Sequence, residues 1–97
     1  MSIQPLSQEQ ITKALETLPG WQYQENKLVR TFTFKDFREA ISFIVRLAFY
    51  AEEHQHHPEL YNVYNRVRLE LTTHDAGNQV TEKDILLARA IEAISWV

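Results

Sequence analysis

Between Leu60 and Thr73 the chain alternates: Tyr61, Val63, Val67, Leu69 and Leu71 are apolar at odd positions, while Arg66, Arg68, Glu70 and Thr72 are polar between them. A period of two sends successive side chains to opposite faces of a strand, so this segment predicts a sheet with one buried face. One unbroken strand over 60–73 would reach ~46 Å at ~3.3 Å per residue. A compact domain of this length, with a radius of gyration of ~13 Å, is only ~33 Å across. The strand must therefore fold back, and Asn65 is the natural place. A hairpin there that pairs Val63 with Val67 and Tyr61 with Leu69 sets His56 opposite His74.

The remaining elements follow from capping signals and periodicity. Ser7 with Gln10 forms a capping box ahead of Ile11, Ala14, Leu15 and Leu18, which predicts a helix over 7–18, stopped by Pro19-Gly20. Trp21 and Tyr23, a turn at Glu25-Asn26-Lys27, and then Leu28, Phe32 and Phe34 read as a β-hairpin. Thr33 and Asp36 mark the start of a second helix from about 36 to about 53, carrying Phe37, Ala40, Ile41, Ile44, Leu47, Ala48 and Ala51. Pro58 excludes helical geometry from the residue before it, so the histidines at 54–57 lie on or just past this helix's C-terminus. Thr81 with Asp84 opens a third helix, which Ile85, Leu87, Ala88, Ile91 and Ile94 carry to the C-terminus. Its further apolar residues Leu86, Ala90 and Ala93 suggest a subunit contact on that helix. The expected fold is α+β, a four-stranded antiparallel sheet with three helices packed on one face in the order α-β-β-α-β-β-α, forming a single domain over 1–97.

Composition removes several function classes. The chain has no cysteine, which excludes disulfides, thiolate metal sites and cysteine nucleophiles. Its formal net charge of -3 and scattered basic residues argue against nucleic-acid binding. There is no signal-peptide pattern and no apolar run of the ~18 residues a membrane span needs, so the expected location is the cytoplasm, without membrane association. Ser7, Ser42 and Ser95 lie in helix positions without a GxSxG or SxxK context, and no glycine-rich loop is present to cradle a phosphate.

The chemistry therefore rests on the histidines. All four of them are His54, His56, His57 and His74. His54, beside Glu52 and Glu53, reads as a helix-end surface residue. The hairpin gathers His56, His57 and His74 into one candidate site. Three imidazoles could hold zinc, with Glu52 or Asp75 as a carboxylate ligand. Adjacent residues on a strand point apart, however, and the spacing matches no HExxH-type signature. Metal ligation is therefore kept as the lesser alternative for these three histidines.

Glu52, His56-His57-Pro58, Tyr64 after five further residues, His74 after nine more and Asp84 after another nine together resemble the signature of the pterin-4a-carbinolamine dehydratases. The likeness extends through Leu18-Pro19-Gly20-Trp21, Asn62-Val63-Tyr64-Asn65, Thr73-His74 and the segment 84–88, and reaches about Ile94. Gln55, where many members carry aspartate, and Leu60, in place of a common tryptophan, depart from the pattern. So does the 75–80 loop, one residue longer than in the animal proteins.

The resemblance implies a helix-covered four-stranded antiparallel sheet assembling as homodimers or homotetramers. It also implies a hydro-lyase that dehydrates 4a-hydroxytetrahydropterin to quinonoid dihydropterin in tetrahydrobiopterin recycling, with no metal and no cofactor. On the family pattern His56 and His74 correspond to general acid/base residues and His57 to a substrate-orienting histidine. Glu52 and Asp84 correspond to acidic residues expected to orient the histidines, while Tyr64 is read as a core or turn residue in preference to a pterin contact. Some relatives instead act as protein-binding modules, either dimerisation cofactors of a transcription factor or assembly factors, which is the alternative function.

Overall fold

A computed structural model describes residues 3–94. The chain forms α1 (Gln8–Leu15), β1 (Gln22–Gln24), β2 (Lys27–Thr33), α2 (Phe37–His54), β3 (Glu59–Val63), β4 (Arg66–Leu71), a 3₁₀ turn over His74–Ala76, and α3 (Glu82–Glu92). The first and third helices begin at the caps their sequence specifies, whereas α2 is capped by Asp36 alone, and Thr33, read with it as the capping signal, is the last residue of β2. Ser7 and Gln10 exchange reciprocal hydrogen bonds, Asp36 accepts from the Glu39 N–H at 2.9 Å, and Thr81 closes a capping box with Asp84. These contacts satisfy amide donors that a helix cannot pair internally. Periodicity predicts a first helix reaching Leu18, but α1 ends at Leu15. The Thr17 hydroxyl and N–H both bond back to the Ala14 carbonyl and tighten the chain toward Pro19. Similarly, the third helix is expected to reach the C-terminus, but α3 ends at Glu92 with Ala93 as its C-cap and Ile94 beyond it, and residues 95–97 lie outside the described residues.

The four strands are antiparallel in the order β1-β2-β4-β3, which makes β4 central and β3 an edge. Glu25 and Asn26, both at positive φ, make the two-residue turn between β1 and β2. The second hairpin corrects the expected register. Tyr64 takes φ 50° and the loop shrinks to Tyr64-Asn65, so Val63 pairs with Arg66, Asn62 with Val67 and Leu60 with Leu69. Asn65 is held by donating from Nδ2 to the Phe34 carbonyl at 2.8 Å while its own carbonyl accepts from the Phe34 N–H. A one-residue slip moves a strand's side chains to the other face. Val67, Leu69 and Leu71 are buried as their periodicity predicts, whereas Tyr61 and Val63 point to the open face and are exposed.

The core lies between the inner sheet residues Leu28, Val67, Leu69 and Leu71 and the helices. From these come Ile11 of α1, Ala40, Phe43 and Leu47 of α2, and Ile85, Leu87, Ala88 and Ile91 of α3. Phe43 sits 4.8 Å from the Phe32 ring and 5.0 Å from Phe34, packing α2 onto β2 and the residue that follows it. Of the residues of the third helix read above as a subunit contact, Leu86 and Ala93 are exposed and Ala90 is half-buried, so they lie outside the core that Ile85, Leu87, Ala88 and Ile91 fill. Among the described residues, a longer outer apolar stripe lies on α2. Phe37, Ile41, Val45 and Phe49 recur every four residues on its outer side, and Phe49 is 73% exposed.

Charged contacts knit the open face of the sheet. Lys27 on β2 donates to Glu59 at 2.6 Å and to Glu70 at 3.2 Å, while Arg68 donates to Glu70 at 2.9 Å. The Arg68 guanidinium first, then Lys27, holds the Glu70 carboxyl below its ordinary range. The Glu39 N–H does the same for Asp36. A carboxyl with a lowered folded-state value stabilises the fold above its unfolded value of about 4 and loses that contribution as pH falls through the lower folded value. Urea midpoints should therefore fall between about pH 5 and pH 2. Asp36→Asn, which keeps a cap acceptor but cannot titrate there, should flatten part of that fall, and an unaltered pH slope would remove Asp36 from the account.

Candidate active site

The site begins where α2 stops. Gln55 enters the left-handed region at φ 50°, ψ 42°, and the His56 N–H reaches back to the Ala51 carbonyl at 3.0 Å. This bond from five residues further on closes the helix in the manner of a Schellman turn. The helix therefore ends at His54, four positions before Pro58, and the reversal at Gln55 sends the two side chains that follow it to different surroundings. His56 turns inward and is buried, whereas His57 stays in solvent, where its Nε2 pairs with Glu52 Oε2 on the last turn of α2. The divergence expected of adjacent residues is present. Both rings nevertheless line the same cleft.

Inside, the fixed point is Asp84, whose side chain is 0% exposed. Its Oδ1 lies 2.5 Å from His56 Nε2. Its Oδ2 accepts from the Thr81 N–H at 2.9 Å and from the Thr73 hydroxyl at 2.8 Å. The capping-box carboxylate of α3 is thus also the partner of a histidine at the end of α2. Burying a carboxylate is costly unless hydrogen bonds replace its hydration, and the Thr81 N–H and the Thr73 hydroxyl do so here. Thr73 and Thr81 are themselves buried and lie 2.8 Å apart, oxygen to oxygen.

His74 follows directly after Thr73 and opens the 3₁₀ turn, which Gly77 closes at φ 73° by donating its N–H to the His74 carbonyl. Thr73 pairs with Gln79 across the base of this loop. The exposed His74 ring is thereby carried on a segment pinned at Thr73 to Asp84. The resulting open cleft, about 440 Å³, is lined by Gln55, His56, His57, Pro58 and Glu59 on one side and by Thr72, Thr73, His74, Asp75 and Lys83 on the other. Glu52 and Asp84 each hold one of its histidines.

Other residues singled out in the sequence stand elsewhere. His54 is the last residue of α2 and does not line the cleft, and Tyr64 is exposed in the β3–β4 turn. Leu60 is exposed on β3, next to the cleft residue Glu59. Sequence reasoning missed Thr73, Thr81 and Lys83 as parts of the site. A buried polar pair beside a histidine gives no periodic signal, and the capping box that announced Thr81 explains it without reference to a cleft.

The architecture and this cleft together define a class. A crystal structure of a transcriptional coactivator/pterin dehydratase from Brucella melitensis superposes with a TM-score of 0.86 at 44% sequence identity, covering 92% of this chain and 96% of that one. The sequence profile of the pterin 4 alpha carbinolamine dehydratases matches residues 4–94. Relatives named for that family are similar along nearly their whole length. One from Rhizorhabdus wittichii is 50% identical over 97 residues, spanning 98% of this chain and 99% of its own. One from Opitutus terrae is 53% identical over 92 residues, spanning 95% of each. The chain belongs to the pterin-4a-carbinolamine dehydratase family.

Removing the shared carboxylate tests the network. Asp84→Ala would leave the Thr73 hydroxyl and the Thr81 N–H without their acceptor in a closed environment, at about 1–3 kcal/mol for each stranded group. We expect urea denaturation to show an unfolding free energy lower by about 2 kcal/mol or more. A change below about 0.5 kcal/mol, the scale of an ordinary surface substitution, would show that the network holds nothing.

Proposed function

We propose that the protein dehydrates 4a-hydroxytetrahydropterin to the quinonoid dihydropterin, with His56, His57 and His74 in the catalytic site and Glu52 and Asp84 supporting them. The reaction breaks the C4a–O bond and forms the N5=C4a double bond. A proton must reach the departing hydroxyl, which leaves as water, and the N5 proton must be removed. No electrons are exchanged with a partner. One protonated and one neutral imidazole can perform both transfers near neutral pH.

The observation that carries this reading is the convergence of three imidazoles on one cleft in three different settings. His56 is buried against a carboxylate, His57 is exposed against a carboxylate, and His74 is exposed at the head of a short turn. His56 and His74 are the acid/base pair of the proposal, and His57, oriented by Glu52, positions the pterin. The setting proposed is tetrahydropterin recycling, downstream of an oxygenation that installs the 4a-hydroxyl.

Stopped-flow dehydration of freshly generated 4a-hydroxytetrahydropterin, run with a metal chelator present, tests the reading. We expect chelator-resistant acceleration, and kcat lower by about 10²-fold or more in His56→Ala and in His74→Ala. Unchanged turnover in both variants would remove the mechanism, and activity lost with chelator would point to a metal held by the imidazoles.

A second element of the proposal is self-association as a homodimer or homotetramer. It is favoured by the stripe of Phe37, Ile41, Val45 and Phe49, too apolar and too regular for an isolated helix face. The same stripe would serve the alternative reading, a protein-binding module. Sedimentation of the purified chain alone separates the two. We expect a mass above the monomer at micromolar concentration, reduced by Phe49→Glu, whereas a monomeric wild type would leave the stripe for a different protein.

A further inference from the structure

We infer that Thr73 is a positioning residue that fixes His56 as its Nε2–H tautomer, so that His56 exchanges its proton with substrate at Nδ1. The inference builds on the proposed dehydration, but the proton order itself comes from the hydrogen bonds around Asp84.

The Lys83 N–H lies 3.2 Å from Thr81 Oγ1 and can only donate, so that oxygen is an acceptor there. Thr81 Oγ1 and Thr73 Oγ1 are 2.8 Å apart, and Thr73 Oγ1 is 2.8 Å from Asp84 Oδ2. Two proton orders are conceivable along this row. In one, Thr81 donates to Thr73 and Thr73 donates to Asp84 Oδ2. Every hydroxyl proton then has an acceptor. In the reverse order Asp84 would carry a proton on Oδ2 and donate to Thr73, and Thr73 would donate to Thr81. The Thr81 hydroxyl proton would then be left over at a residue that is 0% exposed. Oδ2 would also have to donate while accepting the Thr81 N–H at 2.9 Å.

A stranded hydroxyl in a closed site is penalised by its full desolvation cost, so the first order prevails. It leaves Oδ2 an acceptor of two hydrogen bonds, and two donors on that oxygen favour the carboxylate over the acid, so that Oδ1 is an acceptor as well. The contact from Oδ1 to His56 Nε2 at 2.5 Å must then be an N–H donation from the ring. In the neutral imidazole that commits Nε2 to the proton and Nδ1 to the lone pair, and the imidazolium differs only by a proton on Nδ1. Thr73 thus acts on the reaction through Asp84, at one remove from the transferring atom.

The test combines tautomer and turnover in Thr73→Val, which keeps the side chain's shape, and Thr73→Ser, which restores the hydroxyl. Long-range proton–nitrogen NMR on histidine-labelled protein without substrate should show His56 as Nε2–H in the wild type and in Thr73→Ser, and an Nδ1–H population in Thr73→Val. In the stopped-flow assay kcat should fall by about 10- to 100-fold in Thr73→Val, the range seen when a group orienting a functional ligand is lost, with KM held and with recovery in Thr73→Ser. A raised KM with the tautomer unchanged would make Thr73 a substrate contact and overturn the inference.

If Thr73→Val does not fold, Asp84→Asn reads the same proton order. Its amide oxygen must face the Thr73 and Thr81 donors, which turns its NH₂ toward His56 and should force the Nδ1–H form. Persistence of Nε2–H in that variant would also overturn the inference. Because the NMR readout needs no turnover, an inactive wild type would count against the proposed reaction while leaving the tautomer assignment to be decided.

Discussion

The inner half of the histidine cleft depends on one buried carboxylate. Asp84 completes the capping box of α3, receives the hydroxyl of Thr73 at the end of the β4 hairpin arm, and meets the ring of His56 just beyond α2. Three segments far apart in sequence are thereby fixed to one another by a single side chain. A carboxylate enters such a place only when its hydrogen bonds are complete. The same completeness that makes the burial tolerable also dictates which way the neighbouring protons point, so stability and proton order have a common origin.

The histidines occupy contrasting surroundings, as the proposed pair of opposed proton transfers requires. His56 is dry and backed by a carboxylate that is itself saturated with donors. His74 is wet and sits on a short turn. Identical imidazoles placed in unlike environments are how a protein differentiates an acid from a base without using different residue types. The turn at Gln55 produces a similar split over one peptide bond, because a left-handed residue at the helix end lets His56 face inward while His57 returns to the Glu52 side.

Much of this was legible in the chain. Ser7, Asp36 and Thr81 announced the helix starts, and the alternation at 67–71 announced the buried face of β4. The spacing of His56, His57, His74 and Asp84 pointed to the family. The β3 register was not legible, because Val63 and Tyr61 continue the odd-position pattern of β4 although the tight Tyr64-Asn65 turn places them on the opposite face. Their hydrophobicity belongs to an exposed edge, which periodicity cannot tell from a core. The outer stripe of α2 was hidden for a related reason. Phe37 and Ile41 read as core beside Ala40 and Leu47, and only the packing of Phe43 against β2 and Phe34 decides which side of the helix faces inward. Thr73 was silent, and Thr81 was legible only as a cap, because small polar residues reveal a part in a site only once their neighbours in space are known.

The placement of Asp84 in the first turn of α3 gives the cleft a mechanical character. The first turn of a helix is ordinarily where local opening begins, at a free energy well below that of global unfolding. Here that turn cannot fray without releasing His56 and the loop that carries His74. Occupancy and helix nucleation are accordingly linked quantities. Any molecule that binds only the assembled cleft draws the α3 terminus toward its closed state by mass action, and any substitution that loosens that terminus lowers the fraction of molecules able to receive a ligand, although it touches no atom of the ligand itself.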